Sequence, residues 1–302
     1  MRYLIHKTDS KKETAGNVLR QNGISGRTLK KIRQGAGRIL NGEKVINERT
    51  KLNGQGTLIL DLKPEQPDPN VAQSTLPIEI IAEDQYFLAL SKDAQTTSVP
   101  GPANSTTTLA NRALGYAQQQ SQPYVPHILT RLDFDTSGVV LFAKSNFIQS
   151  MVQDQITNHT MKKEYLAVVS GNLLDDHGMV DLPLKKESYE SARRIVAPDG
   201  KPSQTEYWVQ ERFKNATMIR VRLHTGRTHQ IRAHFAHLGF PLIGDELYGG
   251  PTQLIHRQML HAAHLELVNP FTGQPESFNA SLPDDFQDAL TNSKWAACSI
   301  CR

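Results

Sequence analysis

Residues 133–138 read Asp-Phe-Asp-Thr-Ser-Gly, which puts two carboxylates, two hydroxyls and a glycine into the length of one turn. An aspartate held in a cleft can act as a nucleophile or a general base. Arg131 stands just upstream and brings a cation beside it. The flanking segments are apolar: 128–132 leads in, and 139–143, Val-Val-Leu-Phe-Ala, predicts a buried strand. Connectors fixed between rigid elements are common places for catalytic groups. The same residues also suit a plain Asx turn, with Asp133 or Asp135 capping the bend and Gly138 relaxing it. The turn taken by itself leaves both readings open.

Stepping outward, other elements must position this loop. Alternation predicts strands at 78–84, 87–91, 162–169, 205–210 and 217–223, with Tyr165 on the third. Helical patterns span 108–120, 146–157 and 226–238, the last closed by Gly239. Residues 185–195 are mixed in charge and read as a mobile, solvated segment carrying Arg193 and Arg194. Residues 223–250 hold a second cluster of chemistry: Gly226-Arg227-Thr228-His229-Gln230-Ile231-Arg232, then Gly244-Asp245 and Tyr248-Gly249.

Three motifs in this order resemble the RluA/RluD family of pseudouridine synthases. They are Thr130-Arg131-Leu132-Asp133 with Thr136-Ser137-Gly138, Lys163-Glu164-Tyr165 with the apolar run after it, and the Gly226–Arg232 segment with its Gly-Asp continuation. The resemblance runs through most of residues 78–282. It implies an α+β catalytic domain built on a long, bent, mostly antiparallel mixed sheet with flanking helices, and the active cleft across its middle. It makes Asp133 the catalytic carboxylate, Arg227 its cationic partner, Tyr165 the ring that stacks the extracted uracil, and Arg131 the residue that enters the RNA. The reaction breaks a ribose–uracil bond, turns the base and rejoins it through carbon, so no cofactor and no metal is expected. Two departures stand out. Thr130 replaces the family's usual His, and Lys92-Asp93-Ala94-Gln95 replaces a Lys-Pro-x-Gly turn.

Composition sets the outer limits. The chain has 302 residues and a net charge of +4, with a pI of about 9.0, which fits a polyanionic partner. No apolar run approaches the roughly 20 residues that span a bilayer, and 1–20 lacks a signal-peptide pattern, so a cytoplasmic location and no membrane partner are expected. The two cysteines, Cys298 and Cys301, lie in a tail and read as incidental. The expected state is a monomer.

Three units are expected: 1–63, a linker at 64–76 rich in Pro and polar residues, and a catalytic domain at 77–302. In the first, an apolar stripe broken at Gly23–Gly26 predicts two short helices, followed by short strands separated by Asn41-Gly42 and Asn53-Gly54. Arg20, Arg27, Lys30, Lys31, Arg33 and Arg38 interleave with this pattern, which suits grip on a phosphate backbone. The unit resembles the alpha-L RNA-binding domain of a ribosomal protein. RNA is therefore the expected partner, with ribosomal RNA favoured by analogy and transfer RNA left open.

Rival readings are a non-catalytic RNA-binding protein on a synthase fold, a nucleosidase that releases free uracil, and a metalloenzyme. The last would draw on His229, His234 and His237 or on His256, His261 and His264, but no acid completes a zinc set.

Overall fold

The computed structural model describes residues 1–8 and 11–291; Cys298 and Cys301 lie outside the described residues. The chain opens with β1 (Arg2–Lys7), whose alternation turns Tyr3, Ile5 and Lys7 inward. This strand was not expected, because its outward face carries Leu4 as well as Arg2 and His6 and blurs the pattern. β2 (Glu13–Thr14) leads to α1 (Ala15–Gln21), where the Thr14 hydroxyl accepts the Asn17 N–H, and Ser25 caps α2 (Gly26–Lys31) in the same way. β3 (Gly37–Asn41), β4 (Lys44–Ile46), β5 (Lys51–Leu52) and β6 (Gly56–Leu62) complete the unit. Its main sheet runs β1-β6-β3-β4.

This first unit is seated on the rest of the chain. The Tyr3 ring lies 4.7 Å from that of Phe147 and 5.4 Å from that of Phe271, and its hydroxyl is 3.0 Å from Ser145 Oγ. Burial pushes the Tyr3 phenol up to about 12. One hydrophobic cluster accordingly runs from Tyr3, Ile5 and Leu19 into Phe87, Phe147 and Ile148. Residues 64–76 carry no helix or strand, but Glu65 within them accepts the Asn146 N–H at 2.7 Å and pairs with His127 at 2.6 Å.

The remaining elements are β7 (Glu79–Glu83), β8 (Phe87–Lys92), α3 (Leu109–Gln118), β9 (His127–Ile128), β10 (Ser137–Ala143) and α4 (Asn146–Thr157). Then come β11 (Lys162–Ser170), β12 (His177–Asp181), β13 (Leu184–Lys186), β14 (Arg194–Val196), β15 (Gln204–Arg212) and β16 (Ala216–Leu223). α5 (Gln230–His237), β17 (Leu260–Val268), β18 (Pro275–Asn279) and α6 (Asp284–Thr291) close the fold. The large sheet runs β12-β15-β16-β11-β17-β10-β8-β7, with β18 on β17 and β9 on β10. Its pairs are antiparallel except for β10 with β17, so the sheet is mixed and the fold α+β.

That parallel pair positions the site. Ala262 of β17 is the register partner of Gly138 on one side and of Tyr165 on the other. The loop entering β10 and the Tyr165 strand are thus two strand positions apart. Gly138 is required here: its φ is +116°, and a Cβ would sit 2.2 Å from the Ala262 carbonyl oxygen. Every residue of β10 is buried, as its apolar run predicts.

Two local expectations are corrected. The helix expected over 226–238 begins only at Gln230, because His229 takes φ +56° and turns the chain before the helix can start. Residues 226–229 form a loop, with the Arg227 N–H donated to Gln230 Oε1 at 3.0 Å. Residues 185–195, expected to be mobile, include most of a β13–β14 hairpin, paired Leu184 with Val196, Lys185 with Ile195 and Lys186 with Arg194.

Candidate active site

A cavity of about 510 Å³ opens between the 130–136 loop, β11 and the start of α5. Its lining includes Arg131, Asp133, Lys163, Tyr165, Arg227 and Arg232. Asp133, Tyr165, Arg227 and Arg131, from distant parts of the sequence, therefore share one space. Asp133 keeps 26% of its side chain exposed, enough for a substrate to reach it.

The loop carrying Asp133 is tied down at almost every residue. Thr130 is buried and its hydroxyl accepts the Leu141 N–H at 3.0 Å, so in place of a histidine it fastens the loop to β10. Ser98 Oγ accepts the Leu132 N–H at 3.0 Å and donates to the Leu132 carbonyl at 2.7 Å. The Phe134 carbonyl accepts from Lys92 Nζ at 3.0 Å, and the Asp135 carbonyl from Arg257 Nη1 at 3.3 Å. Gln258 Nε2 donates to Thr136 Oγ1 at 3.2 Å. The Lys92 ammonium also donates to the Asp93 and Thr96 carbonyls, both at 2.8 Å. The turn after it departs from Lys-Pro-x-Gly, and Gln95 takes the left-handed conformation, φ +60°, in the glycine's place.

The cation beside Asp133 is Arg232, not Arg227. Arg232 Nη1 lies 3.4 Å from Asp133 Oδ2, while Nε and Nη2 form a two-pronged pair with Asp245 at 2.6 and 2.8 Å. Asp245 is 1% exposed, so its charge requires that pair. Burial lowers and Asp245 raises the Arg232 guanidinium, whose net shift is upward; it stays charged and holds a fixed direction. The Tyr248 ring covers it, 5.1 Å from the guanidinium carbon. Arg227 belongs to the loop before α5, and its Nε donates to the Pro202 carbonyl at 3.1 Å. Sequence spacing does not separate these two arginines, because the break at His229 is invisible in the pattern.

His229, also unassigned from sequence, places Nε2 3.8 Å from Asp133 Oδ2 and Nδ1 3.2 Å from the Tyr248 hydroxyl. Burial holds it below the usual histidine range despite the neighbouring carboxylate, so it stands as a neutral ring. Tyr165 is buried, and burial together with the Asp133 charge pushes its phenol well above the usual range. It is a neutral hydroxyl at any ordinary pH and makes no hydrogen bond within the described residues. Arg131 is exposed at the cavity mouth.

The basic residues of the first unit fall into two groups. Arg20 and Arg33 pair with Glu48 at 3.7 and 2.7 Å, and Arg38 pairs with Asp61 at 2.8 Å. Lys31 reaches Asn146 Oδ1 at 3.4 Å. Arg27 and Lys30 are exposed and have no ion pair among the described residues. Among the described residues, no group of three or more His, Cys, Asp or Glu is placed to hold a metal ion, and no helix is long and apolar enough to cross a membrane.

Comparison with known proteins places this chain in a family. The family profile described as RNA pseudouridylate synthase matches residues 86–237. The chain is 36% identical over 280 residues to the uncharacterized RNA pseudouridine synthase YjbO of Bacillus subtilis (strain 168), covering 92% of this chain and 97% of that one. It is 33% identical over 269 residues to the ribosomal large subunit pseudouridine synthase D of Yersinia pestis, covering 84% and 82%. The solved structure of human RNA pseudouridylate synthase domain containing 1 shares the fold, with a TM-score of 0.58 at 22% identity over 79% of this chain and 94% of that one. The chain belongs to the RNA pseudouridine synthase family, in its RluA/RluD branch. It is an isomerase that acts on uridine in RNA.

Proposed function

We propose that this synthase modifies uridines of large-subunit ribosomal RNA, with Asp133 as the catalytic carboxylate. The ribosomal substrate is supported by several relatives that are ribosomal large subunit pseudouridine synthases by name. The observation that carries the catalytic assignment is the Asp133 carboxylate facing the cavity, held by Arg232 and with Tyr165 beside it.

In the reaction the C1′–N1 bond breaks, the uracil turns and a C1′–C5 bond forms. The C5 proton leaves and N1 gains one, so the product has the formula of the substrate. Asp133 acts on the ribose or the base. Arg232 keeps it ionised and aimed. Tyr165 supplies a ring for the extracted base, and Arg131 at the mouth enters the RNA as the base swings out. Residues 1–63 act as an RNA grip through Arg27 and Lys30, with Arg20, Lys31, Arg33 and Arg38 recruited from exposed contacts that cost little to exchange. The working unit is a monomer in the cytoplasm.

The test is a pseudouridine map of total RNA with and without the gene. One or a few ribosomal sites disappear, and wild type but not Asp133→Asn restores them. An unchanged map with the protein expressed overturns the assignment, and loss confined to transfer RNA overturns the substrate.

A further inference from the structure

Lys163 lines the same cavity as Asp133 and Tyr165. Along β11 the side chains alternate, so Lys163 and Tyr165 share a face, about 6.6 Å apart along the strand. The Lys163 side chain makes no hydrogen bond or ion pair with any described residue, and burial holds its ammonium below the usual range. No carboxylate offsets that burial. Arg227 lines the same cavity and spends only Nε on the Pro202 carbonyl, leaving both Nη groups without a protein partner among the described residues. Lys163 from β11 and Arg227 from the loop before α5 thus bring two cations to one cavity.

A half-buried ammonium and a guanidinium that line one cavity, neither in an ion pair among the described residues, are costly to a fold unless an anion arrives. Two buried arginines nearby are already matched, Arg232 by Asp245 and Asp133, and Arg257 by Asp285 at 2.5 and 2.7 Å, while Arg131 is exposed to solvent. We propose that Lys163 and Arg227 form the seat of a backbone phosphodiester, the one adjoining the nucleotide whose base enters the cavity. The inference rests on the reading of the cavity as a uridine site in RNA. With the base against Tyr165, the spacing along β11 sets Lys163 about one nucleotide's reach away. Arg227, on the same cavity, offers a fork suited to two phosphate oxygens. The seat would fix the target nucleotide's backbone while the base turns, and so help decide which uridine is held long enough to react.

The experiment uses the full chain and an unmodified transcript of bacterial large-subunit ribosomal RNA made with 5-tritiated uridine. Turnover is read as tritium release, and affinity by filter binding at several salt concentrations. Lys163→Met and Arg227→Gln are each expected to raise KM about tenfold, by more than kcat falls. Each should flatten the dependence of log affinity on log salt by about one unit, the signature of one lost phosphate contact. Lys163→Arg should restore both. An unchanged KM and salt slope, or a loss in kcat alone, overturns the seat. Should wild type release no tritium from this RNA, the substrate reading fails, and the salt slopes still decide the seat. Should Lys163→Met not fold, Arg227→Gln, on a partly exposed loop, decides it.

Discussion

Lys92 and Arg257 donate to consecutive carbonyls of the loop that carries Asp133, Phe134 at 3.0 Å and Asp135 at 3.3 Å. Both are nearly out of solvent, at 1% and 5% exposure. Asp133 precedes the clamped pair directly, so its direction depends on two basic side chains that do not line its cavity. Lys92→Met keeps the bulk but loses three carbonyl contacts. It is expected to lower kcat at least tenfold while shifting KM less than threefold, read by tritium release at saturating RNA. A retained urea midpoint together with a retained kcat would reject the positioning role.

Lys92 also makes a pH prediction. Burial pushes its ammonium down to about 7, against the opposing charges of Asp135 and Asp133. Above that pH an amine has two N–H groups for three carbonyls, so the loop loosens and kcat declines; Lys92→Met lacks this limb. Stability moves the other way. The folded chain releases the proton from about pH 7, while the unfolded chain holds it to about 10.4. Between these values the unfolded state binds more protons, so stability rises with pH, by at most about 1.4 kcal/mol per pH unit. Urea midpoints of wild type and Lys92→Met from pH 7 to 9 test the sign.

The Arg232–Asp245 pair separates stability from activity. Asp245→Asn leaves a buried guanidinium with one neutral acceptor and, as its sole carboxylate, the more distant Asp133, and is expected to cost about 3–5 kcal/mol. Replacing both, Arg232→Met with Asp245→Leu, removes both buried charges and should recover most of that loss. Turnover should stay absent in the double variant, because Asp133 has lost its partner. Recovery of turnover with stability would show that Arg232 serves the fold alone.

Much of this was legible in the sequence, and the failures share a cause. The loop 133–138, the strand carrying Tyr165 and the helix α4 follow from alternation, turn residues and apolar period, all local signals. The partner of Asp133 is not local. Arg227 and Arg232 stand in one motif, and only the left-handed turn at His229 sends one to the Pro202 carbonyl and the other to Asp133. Lys92 reads as the first residue of the turn after the 87–91 strand, and nothing nearby shows that its ammonium reaches a carbonyl 42 positions on. β1 was missed because Leu4 sits on its outward face.

Acid should destabilise the fold through two buried histidines. His234 Nε2 donates to the Leu182 carbonyl at 2.9 Å, and Nδ1 accepts from Thr205 at 2.9 Å. His261 Nε2 donates to the Ala280 carbonyl at 3.2 Å, and Nδ1 accepts from Ser137 at 3.0 Å. A second proton would turn each accepting nitrogen into a donor against a hydroxyl. Burial holds both below the ordinary value of 6.5. Their contribution is therefore complete above that value and is lost as pH falls through their folded values, where the unfolded chain is already protonated. Urea midpoints should drop from pH 7 to 5, and less steeply in His261→Gln. A midpoint that holds steady over that range would contradict the neutral assignment.

Tyr165→Phe isolates the hydroxyl from the ring. The hydroxyl has no protein partner among the described residues, so its removal should change stability by less than about 1 kcal/mol. The ring proposed to stack the base remains, so RNA affinity should hold within about threefold. If the hydroxyl orients the turning uracil, kcat falls by about tenfold or more. The pH profile gives an independent reading, because burial and the Asp133 charge keep this phenol protonated throughout the range in which RNA can be handled. Tyr165 therefore contributes no alkaline limb, and wild type and Tyr165→Phe should give parallel pH–rate curves from 6 to 9. A limb present in wild type and absent from the variant would show a phenolate in the reaction, and would require the Asp133 charge to be neutralised before the phenol ionises.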